Sequence, residues 1–241
     1  MNFHLAVEGS YKTYRIALFE DYNCLYKQFE IEKSISSSLV CNIDQILERG
    51  QKKLKDLSFI SVNCGPGAFT SLRTVISVLN GISFGSGVNL VPVDGLEALA
   101  KDSFAAAAEK FGKNISKESL FVPMLNAYSG ECYYSAYRFS ENNKSVDFKI
   151  IDCKHAKIDQ IFKEIANLFP KDNIYFSGNG LERYKDSVED GITMIGMSRC
   201  QILPINCCSV EQVGLMGFDL WKKGRFCCQI EPFYLKGQIQ S

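Results

Sequence analysis

The stretch Cys64-Gly65-Pro66-Gly67-Ala68-Phe69-Thr70-Ser71-Leu72-Arg73 is where residue types and order most invite chemistry. A Gly-Pro-Gly turn between a buried strand and a helix presents backbone N–H groups at a helix N-terminus, a geometry that suits an anion. The same residues also serve as a plain tight turn from strand to helix. Beyond this stretch the chemical inventory is thin. The two histidines, His4 and His155, lie far apart in the chain, which excludes a multi-histidine metal site from this chain alone. The ten cysteines include no C-x-x-C. The adjacent pairs Cys207-Cys208 and Cys227-Cys228 would diverge on a helix or strand and chelate poorly. Most of the cysteines read as small apolar fillers. There is no Walker A motif and no complete G-x-G-x-x-G, so the common phosphate-binding signatures are absent.

The elements that must position these residues follow from periodicity. Residues 3–8, 14–20 and 24–32 read as three strands in a meander, separated by Gly9-Ser10 and Asp21-Tyr22-Asn23. Ser36-Ser37-Ser38 opens a helix with Leu39, Ile43, Ile46 and Leu47 on one face, ending near Gly50. A buried strand over 57–64, the Gly-Pro-Gly turn, a helix over 68–85, a strand over 88–93 and a helix from Asp94 to about Lys110 complete the order βββαβαβα. Glu97 stands at the capping-box position of that last helix. After the polar stretch Glu109–Ser119 the pattern restarts. Strands are expected over 120–126, 131–139, 145–151 and 173–177, a turn over Ser140–Lys144, and helices over 157–169 and about 209–223.

The opening order is that of a ribonuclease-H-like unit. Its partial repetition predicts an α/β chain of two ribonuclease-H-like lobes, the architecture of the actin/Hsp70-like (ASKHA) superfamily, with the second lobe reduced. The expected division is residues 1–110 for the first lobe and 111–241 for the second, whose last helix and tail are free to pack back on the first. In ATPases of this type an Asp at the end of the first strand positions Mg²⁺, and Gly, Ser or Thr backbone groups hold phosphate. Glu8, Gly9 and Ser10 stand at that place, with Gly65 and Gly67 in the neighbouring turn. Gly178 and Gly180, in Ser177-Gly178-Asn179-Gly180, would allow close approach of a ligand such as adenosine. These seven residues are the candidate anion or nucleotide contacts. The corresponding turn of the second lobe, Asn126-Ala127-Tyr128-Ser129-Gly130, lacks the Asp-x-Gly of a working phosphate clamp, which argues against autonomous ATP hydrolysis.

The helix after the Gly-Pro-Gly turn is unusual. Leu72, Ile76 and Leu79 form one face, widened by Val75 and Ile82. Ser71, Thr74, Val78, Gly81 and Gly85 form a second stripe of small residues, and Arg73 is the only charge between residues 69 and 86. A mid-helix glycine costs about 1 kcal/mol, and close approach of another helix would offset it. That second helix belongs either to this chain or to a partner subunit.

Charge and hydropathy narrow the function classes. Lys+Arg and Asp+Glu are 27 each, for a net charge of zero over 241 residues. Such a chain lacks the basic excess that drives independent binding to nucleic acid or to anionic membranes. No apolar run approaches the roughly 18 residues that suggest a membrane span. The opening Met1–Glu8 has no basic n-region, and Glu8 interrupts its apolar stretch, unlike a signal peptide. A cytoplasmic, reducing location is therefore expected.

Four passages carry a resemblance to a known family. GPGAFTSLRTVISVLNGISFG within Ser61–Gly85 is close to a GPGSFTGLR-type signature followed by a small-residue helix. VPVDGLEALA (Val91–Ala100), PMLNAYSGECYYSAYR (Pro123–Arg138) and EPFYLK (Glu231–Lys236) follow the family's next strand and helix, its hairpin and its closing segment. On these the chain resembles the TsaB (YeaZ) family of tRNA threonylcarbamoyladenosine biosynthesis. It departs at Glu8-Gly9-Ser10, where Asp-Thr-Ser is usual, at Ser71, where Gly is usual, and at Asn126-Ala127-Tyr128, where Asp-Ala-Arg is usual.

The resemblance implies a non-catalytic scaffold subunit rather than a metalloprotease. It implies pairing with a TsaD-like paralogue, which carries the metal-binding histidines and transfers threonylcarbamoyl to the adenosine 3′ of the anticodon. A TsaE-like P-loop ATPase would join the pair, and tRNA would be met only through the complex. No cofactor is expected on this chain alone, with ATP and Mg²⁺ supplied at the level of the complex. A homodimer is expected when the partner is absent. The implied pairing surface lies on the first lobe's helices, which selects Ser71, Arg73, Thr74, Val78, Gly81 and Gly85. The alternative is a stand-alone ATP-binding protein or small-molecule kinase of the same superfamily.

Overall fold

The computed structural model describes residues 1–11, 13–31, 35–112, 115, 119–139 and 146–233. The chain opens with strands β1 (Phe3–Glu8), β2 (Thr13–Glu20) and β3 (Asn23–Ile31). Helix α1 (Ile35–Arg49), strand β4 (Leu57–Asn63), helix α2 (Phe69–Ser86), strand β5 (Asn89–Val93) and helix α3 (Gly95–Phe111) follow. The sheet order is β3-β2-β1-β4-β5. The meander pairs antiparallel, and β1, β4 and β5 pair parallel. Asp94 Oδ1 accepts the N–H groups of Leu96 and Glu97, at 2.9 and 3.1 Å, and so caps α3.

A second sheet is built from β6 (Leu120–Tyr128), β7 (Glu131–Phe139), β8 (Val146–Lys157), β9 (Ile174–Ser177) and β10 (Cys200–Ile202), in the order β10-β9-β6-β7-β8. Helices α4 (Ile158–Leu168), α5 (Asn179–Arg183) and α6 (Lys185–Ile195) accompany it. The last helix is α7 (Val210–Lys222), with the Ser209 hydroxyl accepting Gln212 N–H at 3.0 Å. The expected α/β class is thus what the chain adopts, with each sheet mixed. The described residues divide into one unit of Met1–Ala98 with 209–233, and another of Leu99–Cys208.

In the first unit, α1 and α2 cover one sheet face. Leu39, Ile43, Ile46 and Leu47 of α1 and Val75, Ile76 and Leu79 of α2 pack on Leu5, Val7, Ile16 and Leu18. The other face is covered by α7, which packs on β1, β2, β4 and β5. A Cβ on Gly217 would sit 2.2 Å from Ser61 Cβ, so glycine there sets how closely α7 approaches. In the second unit, Ile161, Phe162 and Ile165 of α4 pack with Leu120, Val122, Tyr134 and Phe176.

Helices α5 and α6 and strand β10 were not foreseen from the sequence. Gly191 and the β-branched Val188, Ile192 and Thr193 weaken the helical signal of α6. The glycine is required there, because a Cβ would meet the Phe162 ring at 2.2 Å. Strand β10 has only three residues. Strand β8 runs longer than expected, through bulges against β7. The expected turn at Ser140–Lys144 and the end of the EPFYLK passage lie outside the described residues.

Candidate functional site

The carboxyl ends of β1 and β4 bring the first group of predicted residues together. Glu8 is 1% exposed. Its Oε1 accepts Ser10 N–H at 3.0 Å, the Ser10 hydroxyl at 2.5 Å and Asn63 Nδ2 at 3.3 Å. Its Oε2 accepts Arg15 Nη1 at 2.7 Å. The Gly-Pro-Gly turn hangs on the same residues. Asn63 Oδ1 accepts Gly65 N–H at 2.8 Å, and Ser10 O accepts Ala68 N–H at 2.7 Å. Gly67 lies so close that a Cβ would come within 2.5 Å of Ser10 O. Gly9 packs against Val75 of α2. Glu8, Gly9, Ser10, Gly65 and Gly67 therefore form one knot at the start of α2.

Gly178 and Gly180 belong to the other unit. Gly178 has φ +106°, and a Cβ there would lie 2.1 Å from Met124 O. Gly180 faces Cys132 Sγ. Next to Gly178 is a cleft of about 530 Å³, bordered by Leu181, Glu182, Lys185, Ile202 and Asn206. Asn206 Nδ2 donates to Glu182 Oε2 at 3.0 Å on its border.

The second predicted group lies on α2. Leu72, Val75, Ile76 and Leu79 are buried in the core, and Val78 is partly buried against it. Ser71 and Thr74 are half-buried, and Thr74 Oγ1 donates to Thr70 O at 2.8 Å. Arg73 is exposed and stacks its guanidinium 3.8 Å from the Phe69 ring centre. Gly81 and Gly85 face outward, with no described atom within 4 Å of the position a Cβ would take. Phe84 is 94% exposed between them. Phe84, Gly81 and Gly85 thus leave this flank of α2 apolar and bare.

The tail forms a strap along another flank of α2, with contacts that the sequence reading did not name. Leu90 and Cys227 exchange both backbone hydrogen bonds, at 2.8 and 3.0 Å. Asn80 then pairs with the Ile230 backbone, Nδ2 to O at 2.9 Å and N–H to Oδ1 at 3.0 Å. Ser83 Oγ donates to Cys228 O at 2.9 Å, and Phe233 N–H to Cys64 O at 2.8 Å. The sequence signal for these contacts was two polar residues, Asn80 and Ser83, in the mostly apolar second half of the helix.

The titratable groups are mostly structural. His4 is fully buried, its ring stacked 4.4 Å from Phe59 and 4.9 Å from Phe19. Its Nε2–H donates to Asp21 O at 2.9 Å. Burial lowers its pKa to about 4, against the hydrogen bond and charge of Asp21, which pull the other way. His155 Nε2 is 3.7 Å from Glu131 Oε2. All ten cysteines are free thiols, and burial pushes Cys64 and Cys132 up to about 12. Among the described residues no group of three His, Cys, Asp or Glu side chains is disposed to hold a metal ion. No described helix is long and apolar enough to cross a membrane.

A five-stranded mixed sheet in each of two units, with a glycine-rich turn opening onto α2, defines a two-unit α/β protein. A family profile described as "TsaD: tRNA N6-adenosine threonylcarbamoyltransferase" matches residues 30–209. The chain belongs to that family. It is 23% identical over 199 residues to the tRNA threonylcarbamoyladenosine biosynthesis protein TsaB of Haemophilus influenzae, covering 82% of this chain and 78% of that one. The Escherichia coli TsaB is 24% identical over 139 residues, and the match spans 56% of its length. The solved structure of YeaZ from Pseudomonas aeruginosa superposes with a TM-score of 0.72 at 20% identity, over 98% of this chain and all of that one.

Proposed function

We propose that this chain is a non-catalytic scaffold subunit of a tRNA N6-threonylcarbamoyladenosine transferase complex, and that it docks a TsaD-like paralogue through α2. The reading makes Ser71, Arg73, Thr74, Val78, Gly81 and Gly85 the contact set and adds Phe84 as its anchor. The observation that carries it is the outward flank of α2, where Gly81 and Gly85 have no described neighbour and Phe84 stands in solvent. A helix packs closest where side chains are absent, and a solitary exposed aromatic suits the centre of an interface. Membership of the TsaD-described family, together with likeness to TsaB proteins, supports a paralogue within that family as the partner.

In this reading a TsaE-like P-loop ATPase joins the pair. ATP and Mg²⁺ are bound at the level of the complex, and tRNA is gripped by the other members. Without the paralogue, a second copy of the chain covers the same flank. The kinase-like alternative has less support, because the Glu8 carboxylate is already engaged by four donors of its own chain. Gel filtration of the chain with the TsaD-like protein tests the proposal. Co-elution of the wild type and loss of co-elution in Phe84→Asp support it. A folded Phe84→Asp variant that still co-elutes refutes the assigned surface.

A further inference from the structure

The donors around Glu8 form a cradle for a carboxylate, and the chain fills it with its own side chain. We propose that Glu8 is an internal anion and a positioning residue: it holds the first turn of α2, and with it the docking flank. The link to docking rests on the function proposed above. Four donors from three places converge on one carboxylate. They are Ser10 N–H and hydroxyl after β1, Arg15 on β2 and Asn63 at the end of β4. Glu8, Ser10 and Asn63 are each 1% exposed. Buried donors in such number demand an acceptor.

Two of these residues pass the constraint onward. Ser10 O takes the N–H of Ala68, the residue before α2, and Asn63 Oδ1 takes that of Gly65. Without the carboxylate, the Ser10 and Asn63 donors and the Arg15 charge lose this shared acceptor, and the turn loses its anchor on both sides. The vacated space then suits a small monocarboxylate, which offers the same two oxygens to the same donors. The Arg15 side chain, 24% exposed, links the cradle to solvent and gives a small anion its route.

The test uses the full chain carrying Glu8→Ala, with sodium formate as the probe and sodium chloride at equal ionic strength as the control. Three readouts are followed: Tm, hydrogen exchange of the amides of residues 68–72, and titration with the TsaD-like partner. In formate-free buffer the variant should melt about 5 °C or more below wild type. Its first-turn amides should exchange roughly tenfold faster, and partner binding should weaken about tenfold. Formate at tens of millimolar should restore Tm and exchange protection in the variant and leave wild type unmoved. Equal effects of formate and chloride, or unchanged exchange at residues 68–72, overturn the inference.

Should Glu8→Ala not fold, Glu8→Gln keeps the question open to refutation. It fills the space but turns an amide N–H₂ toward Arg15. It should therefore loosen the same amides and give no formate response. A Glu8→Gln chain indistinguishable from wild type overturns the inference. Formate rescue is read on the isolated chain, so its failure is separate from a failure of the wild type to bind the partner, which would count against the proposed function alone.

Discussion

Gly81 allows the free chain and its complex to be perturbed in opposite directions. In the free chain an added side chain at this position meets no described atom within 4 Å. Alanine in a helix interior is favoured over glycine by about 1 kcal/mol, partly through the unfolded state. Gly81→Ala should therefore stabilise the isolated protein by about 0.5–1 kcal/mol, a Tm rise of roughly 1–4 °C for a chain of this size. Gly81→Leu should also be tolerated in the free chain, since its side chain projects into open space. In the complex it would force the facing helix away. Overpacking costs about 1–3 kcal/mol, so partner affinity should fall roughly 5- to 150-fold. Calorimetric Tm values for the free proteins, at concentrations where gel filtration shows monomers, and titration of each into the TsaD-like partner provide the paired readout. A lower Tm in both variants would mean that this chain already packs something against Gly81. Unchanged affinity in Gly81→Leu would mean that this flank of α2 is not the docking surface. Either result refutes the reasoning.

The remaining predictions concern the frame that holds α2 and the rest of the fold. His4 titrates near pH 4 when folded and near 6.5 when unfolded. The unfolded chain therefore binds a proton that the folded chain refuses, and stability should drop by roughly 3 kcal/mol as pH falls from 6.5 through 4. His4→Phe should lose this component, and urea melts of equal pH dependence in the two proteins would contradict it. Gly217→Ala drives a Cβ into Ser61 at 2.2 Å and should destabilise by about 1–3 kcal/mol. A Tm equal to wild type would argue against the close seating of α7. Iodoacetamide at neutral pH should label the exposed Cys41 and Cys228 in the native protein and reach Cys64 and Cys132 only after unfolding. Equal native labelling of Cys64 and Cys228 by mass spectrometry would contradict their assigned environments.

How much was legible in the sequence depended on whether local pattern alone decides an element. The meander, α1, α2 and α4 announce themselves through period, because one face of each is buried and the apolar spacing has to follow. Helix α6 does not, since its contact with Phe162 is made by a glycine, the residue that weakens a helical signal most. The small-residue stripe on α2 was visible in outline. Whether its second face met the same chain or another one was not, because that depends on what lies opposite Gly81 and Gly85 in space. Arg73 was visible as a lone charge, whereas Phe84 was lost among other apolar residues until its exposure set it apart. At the end of β1 the residue types suggested an anion site. Sequence spacing could not reveal that the anion is Glu8 itself, because its four donors come from strands and turns up to 55 residues away. The strap over Asn80 and Ser83 joins positions about 150 residues apart, beyond the reach of any local pattern.

The central claim is that this chain supports threonylcarbamoyl transfer without performing it. Reconstitution tests this most directly. The TsaD-like and TsaE-like proteins, tRNA and threonylcarbamoyl-adenylate are assayed for modified adenosine with the wild-type chain, with Gly81→Leu and with neither. The account predicts strong stimulation by the wild type, little by Gly81→Leu and no modification by the chain alone. Equal modification with and without the chain would contradict it.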